Sequence, residues 1–382
     1  LEDNLGTRPR GATAGAVGFL ALGLFGWSCG PTTDTHPPAS GPEGAAETTA
    51  GAAPEAGGAA PAGSTSTAGA APGVAGAALE LPACLTPSAP VLAGLHPGAV
   101  LAFSAPSDPP LQVGTAVDPA ATEPEAWLDG GTVTLPDAGA VTVFARVADP
   151  ACAAGWFSQR YSIVAAYPGP AGSDDSTAIA RDDPRIAGWA AAVETLELGA
   201  GSDDPALRDP ARALGPAEGT ATDVVSLGEG GAITLRFDPP LTDGAGVDLA
   251  VFENGFAADF LELAWVEVSS DGTHFVRFDS AYLGTDPVGP FGTLDTTLFD
   301  GLAGKYAQGH GTPFDLAWLR HRPEAVVGAL DLDRVTWVRV VDVVGDGASA
   351  DSFGHPIYDP YPTSQTAGFD LDAVAALHGP DP

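Results

Sequence analysis

Acidic side chains crowd the second half of this chain, and their types point first to hard-cation chemistry. Glu253 and Asn254 close the apolar run Ala250-Val-Phe-Glu-Asn, and Asp342 and Asp346 flank the turn after a long β-branched run. Asp370 and Asp372 alternate with apolar residues in the last such run, while Asp351 and Asp359 stand in the stretch between. Calcium takes six to eight oxygens from scattered carboxylates and carbonyls. A fold that gathered Glu253, Asn254, Asp342, Asp346, Asp370 and Asp372 would therefore bind it. The competing reading is local, in that aspartates also cap turns by accepting hydrogen bonds from nearby backbone. The run from Asp342 to Asp351 is not an EF-hand, because Val344 and Ala348 fall where that loop needs oxygens.

A second set carries aromatic and imidazole groups. Tyr306, His310, His355, Tyr358 and Tyr361 lie beside glycine and proline in loop-like sequence, where rings can stack on a sugar-like ligand. His310 and His355 with one aspartate would also suit a hydrolytic zinc site, although loop histidines satisfied by backbone carbonyls are the more ordinary arrangement. Hydrolase signatures are missing: there is no His-Glu-x-x-His helix, no Gly-x-Ser-x-Gly elbow and no Cys-x-x-Cys. Gly228-Glu-Gly-Gly231 lacks the lysine of a phosphate-binding loop. The expectation is a binding module and not an enzyme, with a structural or adhesive surface component without a small ligand, and after it an extracellular hydrolase, as the alternatives.

Charge narrows the partners. Fifteen Lys and Arg stand against 49 Asp and Glu, a formal net charge of −34. Such a polyanion repels phosphate backbones, so nucleic acid is excluded as a partner. A glycan or another envelope component is the partner expected, with membrane contact only through a lipid anchor.

The elements that must position these residues follow from composition and periodicity. Arg8 and Arg10, an uncharged stretch from Gly11 to Trp27, and Ser28-Cys29-Gly30 read as a lipoprotein signal peptide over 1–29, with Cys29 as the lipidated residue. An uncleaved anchor is the other reading, but the stretch is short and glycine-rich for a spanning helix of about 20 apolar residues. Residues 30–78 are nearly all Ala, Gly, Pro, Thr, Ser and Glu. They have too little apolar bulk to offset the entropy of ordering and are expected to be a disordered tether. With Cys29 used, Cys84 and Cys152 remain, and in an oxidising compartment such a pair is expected to form a disulfide.

Residues 79–167 alternate apolar and polar positions in short runs, the clearest being Val141-Thr-Val-Phe-Ala-Arg-Val-Ala148. They predict a small β-sandwich, and Gly131-Thr-Val-Thr-Leu-Pro136 followed by the Val143-Phe-Ala-Arg146 strand resembles the small immunoglobulin-like modules attached to bacterial surface proteins and glycosidases. Residues 168–382 predict a larger β-sandwich of jelly-roll type with a few short helices, so the chain as a whole is expected to be all-β. Its strands are expected near 232–237, 248–253, 261–269, 274–278 and 335–344, with Ser269-Ser-Asp-Gly272 as a hairpin turn. One helix is expected over 185–194. Asp182-Asp-Pro184 resembles a helix start, and Ile186, Trp189, Ala190 and Val193 follow at helical spacing.

Several longer runs belong together: Ser226-Leu-Gly-Glu-Gly-Gly, Ala250-Val-Phe-Glu-Asn-Gly-Phe256, Leu261-Glu-Leu-Ala-Trp-Val-Glu-Val-Ser-Ser-Asp-Gly272, Gly309-His-Gly-Thr-Pro-Phe-Asp-Leu316, Gly354-His-Pro-Ile-Tyr-Asp-Pro-Tyr-Pro362 and Gly368-Phe-Asp-Leu-Asp-Ala-Val374. Over roughly 176–377 they resemble a family of uncharacterised bacterial cell-surface proteins, many of which end in an exosortase (PEP-CTERM) sorting signal. More loosely, the Ser-Ser-Asp-Gly hairpin and the closing strand resemble galactose-binding-like jelly rolls of the discoidin type. That resemblance implies glycan binding at loops and a structural calcium. The sequence runs only a few residues past Val374 without a sorting helix, so the expected anchor is lipidated Cys29 and the expected location the cell envelope, on the outer surface or the periplasmic face. Replacement Cys29→Ala is expected to release the protein from the membrane fraction. Cell fractionation and immunoblotting check this, and unchanged membrane association would remove the lipoprotein reading.

Overall fold

A computed structural model describes residues 79, 81–82, 84–152, 155–255, 257–364 and 366–378. The expectations for 1–78, including Cys29, the signal peptide and the tether, lie outside the described residues. The structure is all-β, as the patterning predicts. Among the described residues no helix is long and apolar enough to cross a membrane.

The first module is built from β1 (Gly94–Leu95), β2 (Val100–Ala102), β3 (Leu111–Ala116), β4 (Leu128–Asp129), β5 (Thr132–Thr134), β6 (Gly139–Val147) and β7 (Phe157–Ile163). Five of them form a sheet in the order β1-β7-β6-β3-β4, and β2 pairs with β5. The alternation in β6 explains its place at the centre. Val141, Val143 and Ala145 point into one buried cluster with Leu101, Val113, Val133, Phe157 and Tyr161, so both ladders pack on the same core. Cys84 and Cys152 are joined by a disulfide, with Cα atoms 5.5 Å apart.

The second module contains β8 (Ile179–Ala180), β9 (Gly188–Trp189), β10 (Ala192–Glu197), β11 (Val225–Ser226), β12 (Ala232–Leu241), β13 (Leu249–Glu253) and β14 (Ala264–Ser269). It continues with β15 (Val276–Arg277), β16 (Ala281–Tyr282), β17 (Phe299–Asp300), β18 (His310–Phe314), β19 (Val335–Asp342) and β20 (Asp370–Ala376). One sheet has the order β11-β20-β13-β18-β8 and the other β10-β12-β19-β14-β15. Apart from the added edges β8 and β10, each sheet alternates early and late strands, which is the double Greek key of a jelly roll. The sheets face each other across one core in which Leu249, Val251, Leu371 and Val374 of one meet Ile233, Leu235, Val266, Val338 and Val340 of the other. The outer face of the first sheet is covered as well, since Ala250, Phe252, Ala373 and Ala375 belong to a second buried cluster. Burial on both faces explains why 249–252 of β13 and 373–376 of β20 read as continuous apolar runs.

Two expectations need correction. No helix forms over 185–194. Trp189 pairs with Ala375 in β9, and Ala192 begins β10 against Arg236 of β12, so the chain passes here from one sheet to the other. Asp183 accepts the Arg185 amide in a local turn in place of starting a helix. The helical spacing arises because Ala190 and Val193 pack on the inter-sheet core while Ile186 and Trp189 pack on the outer cluster. Asp271-Gly272 lies within a longer loop, since β14 and β15 are joined across Val268 and Val276. Asp271 accepts the amides of Thr273 and His274 there, and Gly272 takes φ +74°.

The modules meet along a packed seam. Asp279 Oδ2 accepts the Val91 amide at 2.9 Å, Tyr167 donates its amide to Thr297 O at 3.0 Å, and the rings of Phe157 and His321 stand 4.5 Å apart. The disulfide closes a separation of 68 residues, which in the chain-entropy account stabilises by about 4 kcal/mol. Reduction, or the double variant Cys84→Ser/Cys152→Ser, is expected to lower the melting temperature. Calorimetry with and without reductant measures it, and an unchanged melt would show that the bond contributes nothing.

Candidate functional site

The end of the jelly roll where β13 finishes and β20 begins is lined by carboxylates. Alternation along the strands puts them there. Ala264, Val266 and Val268 face the inter-sheet core while Leu261, Leu263 and Trp265 face a third buried cluster, so Glu262 falls on the core side. Asp342, paired with Ala264, lies on the same side beyond Val338 and Val340. Glu253 continues the parity of Leu249 and Val251 and pairs with Leu371. The apolar core thus ends in Glu253, Glu262 and Asp342, all buried, with Asp359 and Asp370 close by and equally covered.

A β-bulge sets the last of these. The register along β13 passes from Phe252↔Ala373 to Glu253↔Leu371, so Asp372 is the extra residue. Asp370 then stands in a row with Ser226 of β11, its ladder partner, and with Asn254, whose Nδ2 donates to Asp370 Oδ2 at 3.0 Å. Asp370 Oδ1 has no hydrogen-bond partner. The Ser226 hydroxyl lies beside this carboxyl and donates to Ala367 O at 3.3 Å.

Above this row lies a cavity of about 410 Å³. Glu262 and Asp370 supply its acidic groups and Asn254 an amide, Phe260, Pro290, Phe291 and Pro362 its apolar part, and Thr363, Ser364 and Thr366 its hydroxyls. Phe291 is 88% exposed on the loop before β17. That loop is tied to both sides, with Leu294 donating to Asp259 O at 2.7 Å and Tyr361 donating to Val288 O at 3.3 Å. Glu262 is held by Gly304, which has φ +85° and whose added Cβ would lie 1.9 Å from Glu262 O, so only glycine fits. A second cavity of about 530 Å³ flanks the disulfide, but its polar groups satisfy each other. Arg146 donates to Gln112, and Gln112 to Asp129.

Burial dominates the electrostatics. Desolvation pushes the Asp370 carboxyl up to about 6, partly offset by Ser226 and Asn254. It pushes Asp342 up to about 7 against the amides of Gly230 and Phe369. Glu253, Glu262 and Asp359 are raised well above the ordinary carboxylate range, by desolvation first and by their acidic neighbours second.

The residues nominated from sequence are only partly brought together. Glu253, Asn254 and Asp370 meet at this end, but the six nominated calcium ligands do not form one shell. Asp342 accepts the amides of Gly230 and Phe369, each at 2.7 Å, and Asp372 those of Glu218 and Gly219. Asp346 caps Ala348. Among the described residues, the one group of three carboxylates with ligand atoms within 4.8 Å is Asp243, Asp248 and Asp315. There Asp248 already accepts the amides of Gly244 and Leu316.

Tyr306 is not a stacking surface: its ring is buried and its hydroxyl is 2.8 Å from Thr177 Oγ1. Tyr358 is half-buried against the third cluster, and Tyr361 stands next to the cavity wall at Pro362 without lining it. His310 lies in β18, and His355 is 3.0 Å from Asp351 Oδ2; neither lines the cavity. Glu262, Phe260 and Phe291 were missed. The alternation Leu-Glu-Leu was a signal for Glu262, but it reads equally as a solvent-facing glutamate.

No family model matches the chain, and no curated protein matches it. Among solved structures it is similar to a SusE-like protein at 9% identity and a TM-score of 0.28, over 77% of this chain and 98% of that one. A likeness that slight has no bearing on the site.

Raised carboxyls favour the folded state while neutral. For Asp370 that contribution is complete below about pH 4, where the unfolded carboxyl also holds its proton, and is lost as pH rises through the folded value of about 6. The shift corresponds to on the order of 3 kcal/mol. His321, pushed down to about 4 by burial, works in the opposite sense on acidification. The measurement is therefore a difference. Between pH 5 and 7.5, Asp370→Asn is expected to gain stability over the parent as pH rises, read by urea denaturation at each pH. A constant difference would show that Asp370 ionises freely.

Proposed function

We propose that this chain is a non-enzymatic binding module of the bacterial cell envelope, whose cavity between the β13 and β20 ends takes a carbohydrate-type, polyhydroxylated ligand. The observation that carries the reading is the combination of buried acceptors with ring faces in one concave site: Asn254, Glu262 and Asp370 on one side, Phe260 and the exposed Phe291 on the other. Such an arrangement suits a sugar, whose hydroxyls donate to carboxylates while its C–H face lies on an aromatic ring. Among the described residues the lining holds no histidine, cysteine or lysine for acyl-transfer or metal-assisted chemistry. Since a carboxylate pair is also what glycosidases use, binding is separated from hydrolysis by the reducing-end assay below. The Cys84–Cys152 disulfide supports export to an oxidising compartment, where the lipidated Cys29 read from sequence would hold the protein to the membrane. Calcium enters as a stabiliser suggested by composition and resemblance, without a step of recognition assigned to it.

The full chain is screened against a glycan panel with calcium and with chelator, and hits are quantified by calorimetry. Phe291→Ala is expected to weaken binding five- to tenfold, corresponding to about 1 kcal/mol of ring contact, with no change in melting because the ring is exposed. Failure of every glycan under both conditions would leave the structural or adhesive reading. Release of reducing ends on incubation would make the protein an enzyme.

A further inference from the structure

The polar atoms that this cavity leaves free are almost all acceptors. Asp370 is nine-tenths buried, and its Oδ1 has no partner. Glu262 is buried to the same degree, and among the described residues its carboxylate has neither a hydrogen bond nor an ion pair. Asn254 spends its amide nitrogen on Asp370 Oδ2 and on Ala221 O at 3.1 Å, so only its oxygen remains to a ligand. The Thr363 hydroxyl donates to Glu229 Oε1 and accepts the Gly368 amide. Among the described lining side chains, the hydroxyls of Ser364 and Thr366 remain as donors, and none of those residues is Lys, Arg or His.

A site of this kind rejects anions and rewards a cation that brings its own donors. Two carboxylates taken out of water without a counter-charge are costly, and a ligand cation that enters between them recovers part of that cost. An ammonium group has three donors, and Glu262, Asp370 and Asn254 on the cavity wall supply oxygen acceptors for them. The exposed ring of Phe291 adds a face that attracts an organic cation further. A bare divalent ion fits less well. It needs six or more oxygens, and here no three carboxylates bring ligand atoms within 4.8 Å of one another, the one such group among the described residues being Asp243, Asp248 and Asp315.

We infer that the ligand of this cavity is an amine-bearing sugar, with its free ammonium seated among Glu262, Asp370 and Asn254 and its ring against Phe291. The inference rests on the carbohydrate reading above and specifies the class of sugar. Neutral and N-acetylated sugars lack the charge, and uronic acids carry the wrong one.

Titration calorimetry of the full chain with a glucosamine tetramer, its N-acetylated counterpart, a glucose tetramer and spermidine tests it, each in calcium and in chelator. The glucosamine tetramer is expected to bind at least tenfold tighter than the other two sugars, equally in calcium and chelator. Glu262→Gln and Asp370→Asn are each expected to remove at least tenfold of that affinity while melting at or above the parent temperature, since each removes a buried carboxylate. A variant that melts lower is replaced by Phe291→Ala, whose exposed ring leaves the fold intact and whose loss should weaken the glucosamine tetramer five- to tenfold. Equal binding of all three sugars would overturn the ammonium inference and leave the carbohydrate reading standing. Spermidine binding without any sugar binding would overturn the carbohydrate reading and keep the cation site. Binding that vanishes in chelator would replace the ammonium by a metal ion, and no binding of any probe would overturn both readings.

Discussion

Buried aspartates that accept backbone amides from distant loops hold the jelly roll together at its ends. Asp342 joins Gly230 to Phe369, Asp372 takes the amides of Glu218 and Gly219, and Asp359 takes that of Leu263. At the other end Asp248 binds Gly244 and Leu316, and along the module seam Asp351 binds Tyr282 while Asp279 binds Val91. Where strands stop and loops cross, backbone donors would otherwise be buried without partners, each at a cost of about 1–3 kcal/mol. A carboxylate with two oxygens can serve two such donors from different segments, which a serine or asparagine oxygen does less strongly.

This use of aspartate explains why so acidic a chain has so few free carboxylates inside. Most of the buried ones are committed to amides, and their charge is spread over short hydrogen bonds. Among the described residues at this end of the jelly roll, Asp370, whose Oδ1 is unpaired, and Glu262 are exceptions. They are as deeply covered as the others but lack that commitment, and both face the same cavity. Natural folds tolerate an unsatisfied buried group where it has a use, and the contrast with their neighbours marks these two out more firmly than acidity alone.

The bulge at Asp372 connects fold to site. Without the extra residue, β20 would keep its alternation and the row formed by Ser226, Asp370 and Asn254 would not line up beside Glu253. The bulge ends the regular ladder at the point where the chain turns from core to cavity, and Asp372 itself is used to anchor the 218–219 loop. Gly304 acts on the opposite wall, allowing the backbone approach that holds Glu262 in place.

Alternation in runs such as 141–148, with turn residues between short runs, determined by itself that the chain is all-β, because a period of two belongs to strands. The cysteine count likewise pointed to the Cys84–Cys152 pair. Sequence could name the acidic residues of the site in part, giving Glu253, Asn254 and Asp370, since they end or begin apolar runs. It could not separate a tether such as Asp342 from a free acceptor such as Asp370, because the difference lies in which amides from remote loops arrive beside each oxygen. It misread 185–194 as a helix, because residues shared between two cores on opposite sides of a sheet imitate a helical period. It placed Tyr306 in a binding site when that ring is core, and it passed over Phe291, whose exposure depends on how the loop is tied at Val288 and Leu294. Those outcomes belong to tertiary structure, where contacts between segments far apart in the chain decide whether a polar or aromatic side chain is satisfied, covered or left facing a cavity.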